Sequence, residues 1–89
     1  MRYLIIEHFK PGKLREVYRR FDECGRLLPD GLRYLDSWIA EDLSVCYQLM
    51  ECEDRALIDE WIARWEDLTE FRVVPVIDSA EARRRALAD

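Results

Sequence analysis

Sliding the chain along itself by 44 residues lays it onto its own pattern, and this narrows the available folds more than any other feature. "YLIIE" (Tyr3 to Glu7) falls on "YQLME" (Tyr47 to Glu51), identical at both ends. Under the same shift Leu14, Val17, Tyr18 and Phe21 fall on Ile58, Trp61, Ile62 and Trp65. Each set of four is spaced for one face of an amphipathic helix. Two matching strand–helix–strand halves predict a duplicated split βαβ unit, an α+β fold of the ferredoxin-like kind.

The remaining elements fit that frame. "RYLIIEHF" is rich in strand formers and ends at "KPG", a turn signal. The first helix carries Leu14, Val17, Tyr18, Phe21 and Cys24 on its apolar stripe, with Gly25 placed to end it. "RLLPDG" has the chemistry of a loop, "LRYLDSWIA" and "VCYQLMEC" read as strands, and "EDLS" turns between them. Asp54 is placed to cap a second helix whose stripe is Leu57, Ile58, Trp61, Ile62, Trp65 and Leu68. "EFRVVPVID" is the fourth strand, and Pro75, lacking a donor, belongs at an edge or bulge. "SAEARRRALAD" has helix formers but no wide apolar stripe. The expected organisation is a βαββαβ domain over residues 1–78 and a C-terminal helical tail over 79–89.

Such a sandwich has a four-stranded antiparallel sheet in the order 4-1-3-2, with both helices on one face. The repeat groups Tyr3, Ile5 and Glu7 with Tyr47, Leu49 and Glu51, and Leu4, Ile6 and His8 with Gln48, Met50 and Cys52. Both groups are largely apolar, whereas a sheet with one wet face should alternate. The expectation is that a second copy covers the free face, closing a dimeric α+β barrel.

Length and charge set further limits. A chain of 89 residues makes one domain. A net charge of −5 disfavours nucleic acid and anionic membrane as partners, since both require a cationic face. Basic residues cluster between Lys10 and Arg26, and acidic ones between Glu51 and Asp67. That asymmetry is either two solvated helix faces or a complementary surface that orients a partner subunit. No apolar run approaches the length of a membrane span, and no signal-peptide pattern opens the chain. Three cysteines cannot all pair internally, so the expected location is cytoplasmic.

Few residues carry a chemical signal. Cys46 and Cys52 would stand roughly 20 Å apart on one regular strand, beyond the reach of a disulfide. Their spacing is also wrong for structural zinc. They read as small buried hydrophobes, as does Cys24. No metal or cofactor is expected. His8 is the sole histidine, and no serine is tied to it as a nucleophile. Glu7 and Glu51 fall at opposite ends of neighbouring strands and do not suggest a carboxylate pair. Gln48 is more informative, because an amide in the middle of an apolar strand needs partners. An odd loop between the second and third strands would set Asp36 and Trp38 on its face, and an even loop would bring Ser37 instead.

"VYRRF", "GRLLPDGLRYLDSW", "CYQLME", "EWIARW" and "VVPV" together resemble domain of unknown function family 3303 (DUF3303) across nearly all of the chain except the tail. The resemblance implies a small bacterial dimeric α+β-barrel domain and carries no catalytic residues. Two functional readings stay open. One is a small-molecule enzyme or binder whose pocket, lined by His8, Asp36, Trp38 and Gln48, takes an apolar or aromatic molecule. The other is a non-catalytic interaction dimer in which the polar patch sets register. Monooxygenase or isomerase chemistry would follow only from analogy of fold.

Overall fold

The computed structural model describes residues 1–89. Its elements are β1 (Arg2–Phe9), α1 (Leu14–Cys24), β2 (Arg33–Ile39), β3 (Val45–Glu51), α2 (Ala56–Ala63), β4 (Thr69–Val76) and α3 (Ser79–Ala86). The strands pair antiparallel in the order β2-β3-β1-β4, which is 4-1-3-2 read from the other edge. This is the ferredoxin-like βαββαβ arrangement that the internal repeat implies.

Local chemistry accounts for the element ends. Gly25 closes α1 at φ +68°, a left-handed backbone that costs glycine little, and its N–H donates to the Phe21 carbonyl at 2.8 Å. Asp54 Oδ1 accepts from the Ala56 N–H at 2.9 Å, satisfying a donor of the first turn of α2. Pro75 lies opposite Tyr3 on β4, an edge strand, where its missing donor breaks no second ladder. Asp78 caps α3 through Glu81 N, and α3 buries none of its residues.

The core lies between the sheet and α2. Tyr3, Ile5, Met50 and Cys52 of the sheet side pack with Ile58, Trp61 and Trp65. α1 buries no residue completely, and Tyr18 and Phe21 stay partly exposed on it. Cys24, expected on the buried stripe, is exposed at the end of that loosely covered helix. Cys46 and Cys52 are buried on the helix side.

One inference from the repeat needs correction. Tyr3 pairs with Met50, Ile5 with Gln48 and Glu7 with Cys46. The inward face of β3 is therefore Cys46, Gln48 and Met50, and Tyr47, Leu49 and Glu51 face away. A helix absorbs a one-residue offset within its wide apolar stripe. A strand does not, because a slip of one exchanges its faces. The shift of 44 thus aligns the helices and misassigns β3.

The face away from the helices carries Leu4, Ile6, Tyr47, Leu49, Val74 and Val76, with Trp38 beside them at 53% exposure. Both faces carry apolar residues, by a different grouping from that of the repeat, and the outward face also bears His8, Asp36 and Arg72.

Ile58 is fully buried between α2 and the sheet, so Ile58→Ala should cost about 3 kcal/mol. Leu87, exposed beyond α3, should be replaceable by alanine within about 0.5 kcal/mol. Urea denaturation of the two variants measures the contrast.

Candidate functional site

Two polar residues point inward from the central strands: Glu7 on β1 at 6% exposure and Gln48 on β3 at 8%. Their strands are neighbours, with Glu7 opposite Cys46 and Ile5 opposite Gln48. The two side chains are therefore diagonal partners on one face. Gln48 Nε2 donates a short hydrogen bond to Glu7 Oε2. Gln48 Oε1 accepts from Arg26 Nε at 3.2 Å. The amide so placed satisfies a carboxylate with its donor and an arginine with its acceptor.

Arg26 follows the C-terminal glycine of α1 and is clamped from several sides. Its guanidinium stacks on Tyr34 at 3.6 Å and lies 5.0 Å from the Phe21 ring. Its backbone carbonyl accepts from both indoles, Trp61 Nε1 at 2.8 Å and Trp65 Nε1 at 3.0 Å. The Tyr34 hydroxyl and Ser37 Oγ share a hydrogen bond of 2.7 Å beneath it.

These groups border a cavity of about 180 Å³ under α1. Glu7, Ser37, Cys46 and Gln48 come from the sheet and Val17, Tyr18 and Phe21 from α1. Trp61 and Trp65 close the α2 side. The lining is mostly apolar, with its polar groups gathered at one place.

Burial drives the electrostatics. Loss of water pushes the Glu7 carboxyl from its ordinary 4.5 up to about 7, although the hydrogen bonds from Gln48 and Cys46 and the charge of Arg26 pull it down. The Cys46 thiol is pushed up to about 12, first by burial and then by the charge of Glu7. It stays protonated and is a poor nucleophile. Burial, Cys46 and Glu7 also raise the Tyr18 phenol, which remains an O–H donor near neutral pH.

Of the four residues expected to line a pocket, only Gln48 does so. His8 sits opposite Val45 and Glu70 on the far face of the sheet and is exposed. Trp38 pairs with Tyr47 and Asp36 with Leu49, also on that face. The one-residue offset of the repeat is what groups His8 with Gln48. For Asp36 and Trp38 the loop parity decides. Ala40 N–H donates to the Val45 carbonyl at 2.8 Å, so the loop outside the ladder is residues 41–44, an even length. Ser37 accordingly pairs with Gln48 and Ile39 with Cys46. A register irregularity between Tyr34 and Asp36 lets Tyr34 face the helices as well.

Glu7 and Arg26 are site residues that the sequence pattern did not bring forward. A signal existed for Glu7, which shares the parity of Tyr3 and Ile5 on the first strand and so had to point inward. Arg26 is a loop residue, and no periodicity marks it. Nowhere do three His, Cys, Asp or Glu side chains gather as they would around a metal ion.

Comparison with known proteins agrees with this architecture. The family described as a domain of unknown function (DUF3303) matches residues 1–88. The chain belongs to that family. Among solved structures, this DUF3303 chain is similar to Rv0793 from Mycobacterium tuberculosis at 17% identity, covering 89% of this chain and 97% of that one, with a TM-score of 0.51. That likeness is one of fold. No curated protein matches the chain.

The position of Glu7 gives stability a definite pH dependence. As pH rises above 4.5 the unfolded chain loses this proton, while the folded chain keeps it until about pH 7. The folded state binds more protons across that window, so stability falls as pH rises through it, by about 3 kcal/mol in total. Glu7→Gln should flatten this fall and raise stability at pH 8, as read by denaturation midpoints between pH 5 and pH 8.

Proposed function

We propose that this DUF3303 protein binds a small, largely apolar or aromatic molecule in the cavity beneath α1 and works as a homodimer joined through the open face of its sheet. The observation that carries the binding reading is a mostly apolar cavity of about 180 Å³ with a buried carboxyl, an amide and a guanidinium converging on one side. An interior void of about 150 Å³ takes benzene, so this volume suits a molecule of one or two rings. A haem is far too large.

The homodimer is supported by the apolar face opposite the helices. A contiguous patch of Leu4, Ile6, Tyr47, Leu49 and Val74 is unusual on a monomer. A second copy is the occupant we favour because a domain this small gains from a further apolar interface and two-fold pairing buries the same patch on both chains. The alternative, in which Gln48 only sets the register of a non-catalytic dimer, is disfavoured by its place on the helix side, away from that face.

Thermal-shift screening of phenols, quinones and aromatic ketones checks the binding reading. The expected result is stabilisation of wild type by at least one class, weakened about tenfold or more in affinity by Gln48→Leu. A Gln48→Leu protein that binds equally well would sink the role given to this network. Light scattering checks the dimer: wild type should run at twice the chain mass at micromolar concentration, and Leu49→Arg at one chain mass.

A further inference from the structure

We infer that the cavity is a proton-transfer site for an enolisable carbonyl compound of one or two rings, in which Glu7 takes a proton from carbon and Arg26 holds the oxygen. The inference rests on the binding reading above and adds a reaction to it.

The donors and acceptors left unused by the protein point this way. Arg26 engages Gln48 through Nε, and its two terminal amino groups donate to no protein acceptor. Arg26 takes part in none of the ion pairs of the protein, so a cation lining the cavity is left without a direct counter-ion. Tyr18, whose hydroxyl has no protein partner either, lines the same cavity. Two donor groups thus stand ready for an oxygen that becomes negative. The same cavity holds one buried carboxyl, Glu7, aligned by the Gln48 amide.

Other reaction classes lack their parts. The Cys46 thiol is held protonated by its surroundings. Ser37 is committed to Tyr34, and the only histidine stands on the opposite face of the sheet. No activated nucleophile faces the cavity. Removal of a proton next to a carbonyl needs only a base and a place for negative charge, and both are present.

The step balances within the site. The substrate C–H bond breaks and an O–H bond forms on Glu7. The electron pair moves through the new C=C bond onto the carbonyl oxygen, where Arg26 and Tyr18 receive it as hydrogen bonds. When the proton on Glu7 swaps with solvent before a hydron returns to the same carbon, the result is isotope exchange, and delivery to the far end of a conjugated enolate gives isomerisation. No oxidant or second substrate enters. A base matched to neutral pH is the efficient one for such a step, and the burial of Glu7 supplies that match. The groups facing Glu7 are Cys46 and Gln48 from β3, Tyr18 from α1 and Arg26 beyond it, and β4 and α2 present only Phe71 and Trp61.

The test uses 2-tetralone in D₂O, with loss of its α-proton signals followed by NMR and binding followed by fluorescence of the cavity-lining Trp61 and Trp65. Wild type should exchange these protons at least about 100-fold faster than Glu7→Gln, the contribution expected of a general base. The wild-type rate at saturation should rise with pH through a midpoint near 7 and level off above it. Arg26→Met should lower the exchange rate more than it weakens binding. If Glu7→Gln does not fold, Glu7→Asp serves, with a rate reduced about tenfold or more and fluorescence titration unchanged. Binding of the ketone with equal exchange in wild type and Glu7 variants overturns the proton-transfer inference and leaves the binding reading standing. A rate that climbs with pH without a plateau overturns it in the same way. Absence of binding by 2-tetralone and by every other member of the aromatic screen overturns both.

Discussion

The antiparallel pairing of β1 with β3, Ile5 opposite Gln48 and Glu7 opposite Cys46, is the constraint on which the rest of the molecule depends. It places a carboxyl and an amide on the inward side of the two central strands, where both are largely withdrawn from water. Each then needs a partner, since a buried polar group left alone costs about 1–3 kcal/mol and a charge considerably more. The amide of Gln48 answers Glu7, and Arg26 answers Gln48. Arg26 must in turn be brought over the sheet, and two indole N–H groups fixed on its carbonyl hold its backbone there. A register choice in the strands thus determines how the loop after α1 is bound to α2.

The fold was legible because its strongest signals are periodic. Helix stripes at Leu14 to Phe21 and Ile58 to Trp65, and apolar runs with a proline confined to the last strand, identify the sandwich without reference to any single contact. The site was legible only in part, for reasons that lie in particular residues. Gln48 stood out because an amide among Cys46, Tyr47, Leu49 and Met50 breaks a local pattern. His8, Asp36 and Trp38 were drawn to it by strand parity, the quantity most sensitive to a single residue. The repeat is out by one in β3, and the even loop over residues 41–44 turned Ser37 inward in place of Asp36. Arg26 arrives through a turn governed by Gly25 and by Leu27, whose φ is +59°. Chain direction after such a turn is a three-dimensional matter that spacing does not encode.

The two helices do unequal work. α2 and the turn beyond it fix Ile58, Trp61, Trp65 and Leu68 in the core, all nearly or fully buried. α1 is attached at its edges. Arg20 forks onto Asp67 at 2.8 and 2.7 Å and donates to the Arg64 carbonyl at 2.9 Å, and the rings of Phe9 and Tyr18 meet at 6.5 Å. The Arg20–Asp67 pair is the direct link between the basic and acidic segments of the chain, and its exposure makes it an alignment device more than a source of stability. A helix held by its rim over an unfilled centre leaves a cavity between itself and the sheet.

That cavity has a cost the sequence could easily have avoided. Leucine at both positions 7 and 48 would fill space, remove the need for Arg26 as a partner and leave no carboxyl to be desolvated. Replacing buried polar groups with apolar ones of similar volume is often neutral or stabilising. A fold selected for stability alone has no use for a carboxyl whose protonation is held near neutrality, an arginine with two idle amino groups and a loosely seated helix above them. Local features that weaken a small domain, all facing one void, are the pattern expected where stability has been traded for a site. The same reasoning separates the two faces of the sheet. The open face sets Leu4, Ile6, Leu49 and Val74 beside His8, Asp36 and Arg72, whose charged or polar ends stay exposed. The helix face is apolar with one polar cluster, Glu7, Gln48 and Arg26, gathered at the cavity.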